Sequence, residues 1–299
     1  MVEIPGGTFL MGSTDFYPDE SPVHERVVEP FHLDRFEVTN DDFRRFVEDT
    51  GYVTVAERPL DAALYPEIAP ADLAPGALVF TATDGPVDLT DWGQWWRWQP
   101  GASWRRPEGP GSSIEDREDH PVVQVAYADA AAYARWAGKR LPTEAEHEYA
   151  SRGGRTDAAP FAWGDEPFPG GVPQAHTWVG RFPYRNDGPY GATTAPVGSF
   201  PANGYALFDM IGNVWEWTST FYAARHHPPG TAPVDAGRRT NLLAAASAEP
   251  GSEVPRRVLK GGSYLCSPDY CLRFRPAARS PQADDTSATH IGFRCALDA

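Results

Sequence analysis

Gly (28) and Pro (30) are spread along nearly the whole chain, and that spacing of breakers excludes long helices and a broad regular sheet. Ten Trp among 299 residues exclude the opposite extreme, a disordered chain. Together they predict ordered loops with aromatic side chains filling the spaces between short elements. The length is enough for a core that needs no staples, and a single domain over residues 1–299 is expected.

Formal net charge is −15, which makes nucleic acid an unsuitable partner and an anionic membrane surface an unfavourable one. Acidity by itself also reads as plain solubility. The N-terminus, MVEIPGGTFLMG, has no basic segment followed by an apolar run, and no stretch approaches the length of a membrane span. Three cysteines cannot all pair with one another. A cytoplasmic, reducing setting with free thiols, and a monomer, are expected.

Short strands are expected at 4–12, 27–38 and 122–125. A helix capped by Asn40 carries Phe43, Phe46 and Val47 on one face and stops at Gly51. A second starts at Asp129, carries Tyr133 and Trp136, and ends at Gly138. Thr143 and Glu146 form a capping box for a third, which stops near Gly153. Loops and short strands follow from 155 onward. The irregular stretch 59–118 contains Trp92, Trp95, Trp96, Trp98 and Trp104, so it should fold onto the domain surface and not act as a linker.

Two constellations could carry chemistry. Cys266 and Cys271 flank a Ser-Pro-Asp turn signal. On a regular strand their side chains would point to opposite faces; across a turn they can meet. Two close thiolates suit Cu(I), while an incidental disulfide or two unrelated buried thiols fit the same spacing. Asp209 and Glu216 lie seven apart around Gly212 and could offer oxygens to Ca²⁺, with backbone carbonyls completing the shell. A loop with a buried Trp and two solvated acids fits equally well. The histidines, at 24, 32, 120, 147, 176, 226, 227 and 290, never place two rings on one helix face beside a carboxylate. No phosphate loop, dinucleotide fingerprint, haem motif or nucleophile elbow is present.

The stretches IPGGTFLMGS, EVTNDDFRRFVEDTGYVTVAER, HPVVQVAYADAAAYARWAGKRLPTEAE, IGNVWEWT and RVLKGGSYLCSPDYCLRFRPAARSPQADDTSATHIGFRC resemble formylglycine-generating enzymes over residues 4–296. The Gly-Gly-Ser-Tyr-x-Cys-x4-Cys segment is the specific part of that resemblance, since the other stretches also mark paralogues without the activity. The resemblance implies an α+β domain of the formylglycine-generating type, C-type-lectin-like and sparse in regular structure. It implies an oxidase that uses O₂ and an external thiol reductant to convert the cysteine of an unfolded sulfatase segment, Cys-x-Pro-x-Arg, into an aldehyde.

By position, the resemblance makes Cys266 and Cys271 the Cu(I) ligands, with Ser263 beside the oxygen site and Trp215 packed next to it. Asp209, Gly212, Val214 and Glu216 would hold structural Ca²⁺, and Asp187 would belong to a second calcium site. Asp61, Tyr270, Arg279 and His290 would contact the substrate, Asp61 through the client arginine. The chain departs from the family pattern at His176-Thr177-Trp178 and Pro189 in the second calcium region, at His147 in place of Trp, at His290 in place of Asn, and over 59–98. Cys295 reads as a buried core thiol. Two other readings share the fold. A non-catalytic lectin-like paralogue would be marked by loss of either cysteine. An iron-dependent sulfoxide-forming oxygenase would need several histidines and a carboxylate around iron.

Overall fold

Two helices of this chain, Asn40–Thr50 and Glu144–Ser151, begin where a threonine hydroxyl takes an orphan amide of the first turn. In the computed structural model, which describes residues 1–69, 73–157, 159–226 and 236–299, α1 spans Asn40–Thr50. Its cap is Thr39 and not Asn40: the Thr39 hydroxyl accepts the Asp42 N–H, and Gly51 closes the helix at φ 66°. α2 spans Tyr127–Trp136, two residues earlier than expected from Asp129. The Asp129 carboxylate instead reaches back to accept the N–H groups of Ala126 (2.8 Å) and Val55 (3.0 Å) and the Tyr52 hydroxyl (3.1 Å), which ties the helix start to the segment after α1. α3, Glu144–Ser151, starts at the Thr143/Glu146 capping box. A fourth helix, α4 at Ala236–Ser247, lies in the region expected to hold only loops and strands.

The strands are short. One three-stranded sheet pairs Val2–Ile4 and Ala296–Asp298 on either side of Phe31–Leu33, and so joins the two ends of the described chain. The expected strand at 4–12 is two, Val2–Ile4 and Gly7–Met11, and the one at 27–38 is His24–Val28 and Phe31–Leu33. Gly6, at φ 70°, makes the first of these breaks. Residues 122–125 form no strand: Gln124 takes a left-handed φ of 60° and donates to the Pro107 and Leu78 carbonyls.

A four-stranded sheet runs in the order Ser280–Ala283, Arg256–Lys260, Trp215–Phe221, Ile291–Gly292, with only the last pair parallel. It carries the site. Its inner face meets an aromatic core of Phe43, Trp104, Tyr133, Trp217 and Phe293. The excursion at 59–98 ends in the hairpin Gly76–Phe80 with Trp96–Pro100. That hairpin docks on the domain through Leu78, whose N–H and carbonyl meet Ser287 and Thr289. Trp95 and Trp104 are fully buried there, as folding onto the surface requires.

Candidate active site

Strand Arg256–Lys260 runs into two glycines, Gly261 (φ 90°) and Gly262 (φ 77°). A Cβ at Gly262 would meet the Phe274 Cα at 2.9 Å, so only glycine lets the turn approach the returning chain. After the glycines, the Cys266 N–H donates to the Ser263 carbonyl at 2.9 Å, and the Tyr264 N–H to the Asn213 carbonyl at 2.9 Å. Ser267 and Cys271 then exchange backbone bonds: the Cys271 N–H donates to Ser267 at 2.8 Å and the Ser267 N–H to Cys271 at 3.2 Å. The Ser-Pro-Asp turn thereby brings Cys266 Sγ and Cys271 Sγ to 3.5 Å. Both are free thiols, as is Cys295.

The two sulfurs are unequal. Cys266 is 1 % exposed, and burial pushes its thiol well above the ordinary value. Cys271 is half-buried. The hydrogen bond shared with Cys266 lowers its thiol against the effect of burial, helped by the Arg273 and Arg275 guanidiniums. A thiolate at Cys271 with a thiol at Cys266 is the arrangement this favours.

Ser263 is buried; its N–H points at Cys266 Sγ (3.4 Å) and its Oγ accepts the Leu265 N–H. Trp215 shares the core cluster with Cys266, and its backbone N–H donates to the His290 carbonyl. Tyr270, 37 % exposed, stacks on Phe182 with ring centroids 4.3 Å apart and planes 1° from parallel, while Trp95 meets its ring edge-on. The His290 ring packs on Trp96 at 4.7 Å; its Nδ1 is buried without a partner, and burial lowers its pKa to about 3. The excursion thus supplies the ring at the edge of Tyr270 and the ring under His290, while Phe182 supplies the surface on which Tyr270 stacks.

Other expected residues lie apart from the sulfurs. Arg279 does not line an open groove. It is 2 % exposed, its Nε lies 2.7 Å from Glu144, and it donates to the Asp19 and Ala223 carbonyls. A buried guanidinium needs such partners, and they consume it. Asp61 is exposed and caps a turn by accepting the Ala63 N–H at 2.9 Å. Asp187 is exposed and paired with Arg185 at 2.9 Å, and His176 gives its ring to the Thr193 carbonyl at 2.7 Å. His227 lies outside the described residues.

The acid loop is held from behind. Glu216 is fully buried, bound through both oxygens by Arg294 at 2.7 Å and approached by His147 at 3.2 Å. Burial alone would raise its carboxyl; Arg294 and His147 outweigh that and bring it to about 2. Asp209, at φ 52°, accepts the Gly198 N–H, and burial raises its carboxyl to about 6. Glu37, absent from the sequence reading, joins them: it lies 3.8 Å from Arg294, and neither of its oxygens has a hydrogen-bond partner. Three buried carboxylates thus face one guanidinium. Burial and the nearby Asp209 hold the Glu37 carboxyl well above the ordinary value, and the described residues contain no ready-made cluster of three metal-binding side chains; a hard cation near Asp209 would draw on the orphaned oxygens of Glu37 and on backbone carbonyls, and Glu216 would have to share its lone pairs with Arg294. The soft pair at Cys266 and Cys271 fits a low-coordinate Cu(I).

The sequence reading also missed residues 16–20, which pack against 272–279. Their signal was present as complementary charge: Asp19 faces Arg273 and Glu20 faces Arg275. A cavity of about 540 Å³ lies beside Phe9, Tyr149, Tyr205 and Arg275, and neither cysteine lines it.

The family described as "Sulfatase-modifying factor enzyme 1-like domain" matches residues 1–299. The chain is 60 % identical to the formylglycine-generating enzyme of Mycobacterium tuberculosis over 301 residues, covering 100 % of this chain and 97 % of that protein. It is 46 % identical to the formylglycine-generating enzyme of Thermomonospora curvata, covering 100 % and 93 %. Among solved structures, PvdO from Pseudomonas aeruginosa superposes with a TM-score of 0.61 at 26 % identity, covering 99 % and 93 % of the two chains.

Proposed function

This chain belongs to the formylglycine-generating, sulfatase-modifying family, and from that premise we propose that Cys266 and Cys271 are its reactive pair and bind one Cu(I). The enzyme is an oxidase that activates sulfatases by acting on a sulfatase cysteine. The observation that carries the finer reading is the 3.5 Å approach of two free thiols across one turn. Copper, when bound, supplies a redox centre through which O₂ chemistry can proceed without an organic cofactor.

The electron count sets what must be delivered. Reduction of O₂ to water takes four electrons. Two come from the client cysteine, whose CH₂–SH carbon reaches the aldehyde level as water supplies its oxygen and its sulfur leaves as hydrogen sulfide. Two come from a pair of external thiols, which leave as a disulfide.

The chain's own residues have separable tasks in this reading. Cys266, buried and fixed by the Ser263 N–H, is the inner ligand; Cys271, half-buried and favoured as a thiolate, is the outer one that the client approaches. Trp215 and the core behind it keep water from the inner sulfur. Tyr270, held flat on Phe182, offers the client an aromatic surface beside Cys271. Asp61 is proposed to meet the client arginine. Calcium near Asp209 is proposed as structural, supported by the carboxylate excess there. The free state of all three cysteines suits a reducing cytoplasm.

The test is a peptide carrying Cys-x-Pro-x-Arg, given O₂ and a thiol, with protein that is metal-free or loaded with one equivalent of Cu(I). Conversion by the loaded protein alone, read as a lower peptide mass and capture by a hydrazide, is expected. Binding of the peptide without conversion by loaded protein would move the reading to a non-catalytic paralogue.

A further inference from the structure

The second cysteine is held from outside its own loop. Residues 16–20 cross the chain that follows Cys271 and meet it at Leu272, Arg273 and Arg275. The Leu272 N–H donates to the Tyr17 hydroxyl at 3.1 Å. The Arg273 guanidinium lies over the Tyr17 ring, 4.0 Å from its centroid, and pairs with Asp19 at 3.3 Å. Arg275 makes a two-point pair with Glu20, at 3.0 and 2.5 Å, with both side chains buried, and its Nε donates to the Leu272 carbonyl at 2.7 Å. Both polar groups of Leu272, the residue directly after Cys271, are therefore bound by this arm or by an arginine that the arm holds.

We propose that Tyr17 is a positioning residue for the reactive pair: its hydroxyl and ring fix the peptide after Cys271, and so hold Cys271 Sγ against Cys266 Sγ. The physical reason is local. Within the turn, Cys271 is held by its own N–H to the Ser267 carbonyl at 2.8 Å and by its carbonyl, which accepts the Ser267 N–H at the longer distance of 3.2 Å. On its C-terminal side, the Leu272 amide has the Tyr17 hydroxyl as its acceptor. Without that acceptor, the peptide after Cys271 is held only from the turn side, through the 3.2 Å bond to its carbonyl, and can tilt about it. Small rotations move a Sγ by more than the slack in a pair only 3.5 Å apart. Glu20 and Arg275 supply the fixed end of the arm, because a buried two-point ion pair is costly to break. Tyr17 is the contact that transmits this hold to the cysteine.

The inference rests on Cys266 and Cys271 acting as a pair, so its test reads their proximity without metal and without turnover. Metal-free protein is equilibrated in glutathione redox buffers. The two thiols lose two electrons and two protons to oxidised glutathione, which leaves as two glutathione thiols, and an intramolecular disulfide forms. The fraction of Cys266 joined to Cys271 is measured by alkylation and peptide mass spectrometry. Tyr17→Phe keeps the ring under Arg273 and removes the acceptor. It is expected to weaken disulfide formation three- to tenfold, tenfold being about 30 mV for a two-electron couple. Tyr17→Ala removes the ring as well and is expected to weaken it further. Affinity for Cu(I), measured by competition with a chromogenic chelator, should fall in the same order.

A redox midpoint for Tyr17→Phe within twofold of the wild type overturns the proposal. So does a lower melting temperature with an unmoved midpoint, because Tyr17 would then serve the fold alone. Should Tyr17→Ala not fold, Tyr17→Phe still decides. If wild-type protein binds no Cu(I), the copper reading fails, while the redox midpoints still report on Tyr17.

Discussion

The cysteine turn and the acid loop lie on either side of strand Arg256–Lys260 and its Gly-Gly turn, and the protein treats their donors in opposite ways. At 263–271 the two sulfurs have each other as neighbours, and the cations Arg273 and Arg275 act on Cys271 while bound to acids elsewhere. At 209–216 the Glu216 carboxylate is already gripped by Arg294 and His147. A thiol can be buried neutral at little cost, so Cys266 needs no counter-charge and has only the Ser263 N–H and Cys271 as partners. A buried ionised carboxylate is costlier, and Glu216 takes its counter-charge from the fold, whereas the neighbouring Glu37 has no hydrogen-bond partner. The reactive region is the one whose inner group, the Cys266 thiol, can be buried without a counter-charge. The supporting region is the one whose chemistry demands an internal counter-charge.

The largest test of that contrast removes the unpaired donors. Cys266→Ser and Cys271→Ser should each reduce turnover of the Cys-x-Pro-x-Arg peptide to background and abolish tight Cu(I) binding, because each removes one of two protein ligands. Cys295→Ser, in the core, should keep copper binding, with a stability loss of about 1 kcal/mol by urea unfolding. Retention of wild-type rate by either of the first two variants would erase the distinction between the regions.

Next comes the internal counter-charge. Glu148 is fully buried, 3.0 Å from Lys260 and 2.9 Å from Arg152, and accepts the Gly12 N–H. Burial alone would raise its carboxyl, but Lys260, Arg152 and the Gly12 amide together bring it to about 2. Since the unfolded carboxyl titrates near pH ~4.3, the stabilisation is full above that value and is lost as pH falls through the folded value. Wild-type stability should therefore drop between about pH 4 and pH 2 by something on the order of 3 kcal/mol from this group. Lys260→Met should cost about 3–5 kcal/mol at neutral pH, because it strands a buried carboxylate, and should flatten that acid limb. Urea unfolding across pH reads both effects. An acid limb that persists unchanged in the variant would mean that Lys260 does not govern Glu148.

Calcium sharpens the comparison on the other side. A bound ion stabilises the fold by about 2.7 kcal/mol at a hundredfold excess over Kd. Chelation should lower the wild-type melting temperature, while Asp209→Ala should start lower and respond little. An unmoved wild-type curve after confirmed metal removal would leave Arg294 as the loop's main counter-charge.

The smallest effect is expected at Asp61, which is exposed and already caps a turn. Its pair with a client arginine should contribute on the order of 1.5 kcal/mol, so Asp61→Asn should weaken use of the Arg peptide about tenfold through KM. It should hardly alter use of a peptide with Ala in that place. The two peptides and two enzymes close a double-mutant cycle, and a coupling near zero would remove Asp61 from recognition.

Local chemistry was legible in the sequence wherever both partners sit within a few residues. The Thr143/Glu146 capping box, the stop at Gly51 and the turn between Cys266 and Cys271 are of this kind. So was the docking of the Trp-rich excursion, because buried tryptophans must cover something. Where a side chain had two local options, the sequence was ambiguous. Thr39 caps α1 in place of Asn40 because its hydroxyl reaches the Asp42 amide, while the Asn40 amide is drawn away to the Arg117 carbonyl. Asp129 lies inside α2 and reaches backward, so it marks the helix start from its third residue. The breaker and turn signals therefore determined a loop-rich chain with a turn between Cys266 and Cys271, while the α+β class and the copper-binding role of that pair came from the family resemblance.

Only the tertiary structure decided what surrounds that turn. Arg279 reads the same in sequence whether it lines a groove or is spent on Glu144, and Glu37 gives no hint that it will lie unpaired beside Asp209 and Arg294. Tyr17 lies 254 residues before Cys271 in the chain, in a segment without any catalytic signature, and yet accepts the amide that follows that cysteine. The reason is physical. Capping and turn formation are settled by atoms a few bonds apart. The partner of a buried charge or a free amide is whichever group the whole fold brings within about 3 Å, and that distance has no counterpart in sequence spacing.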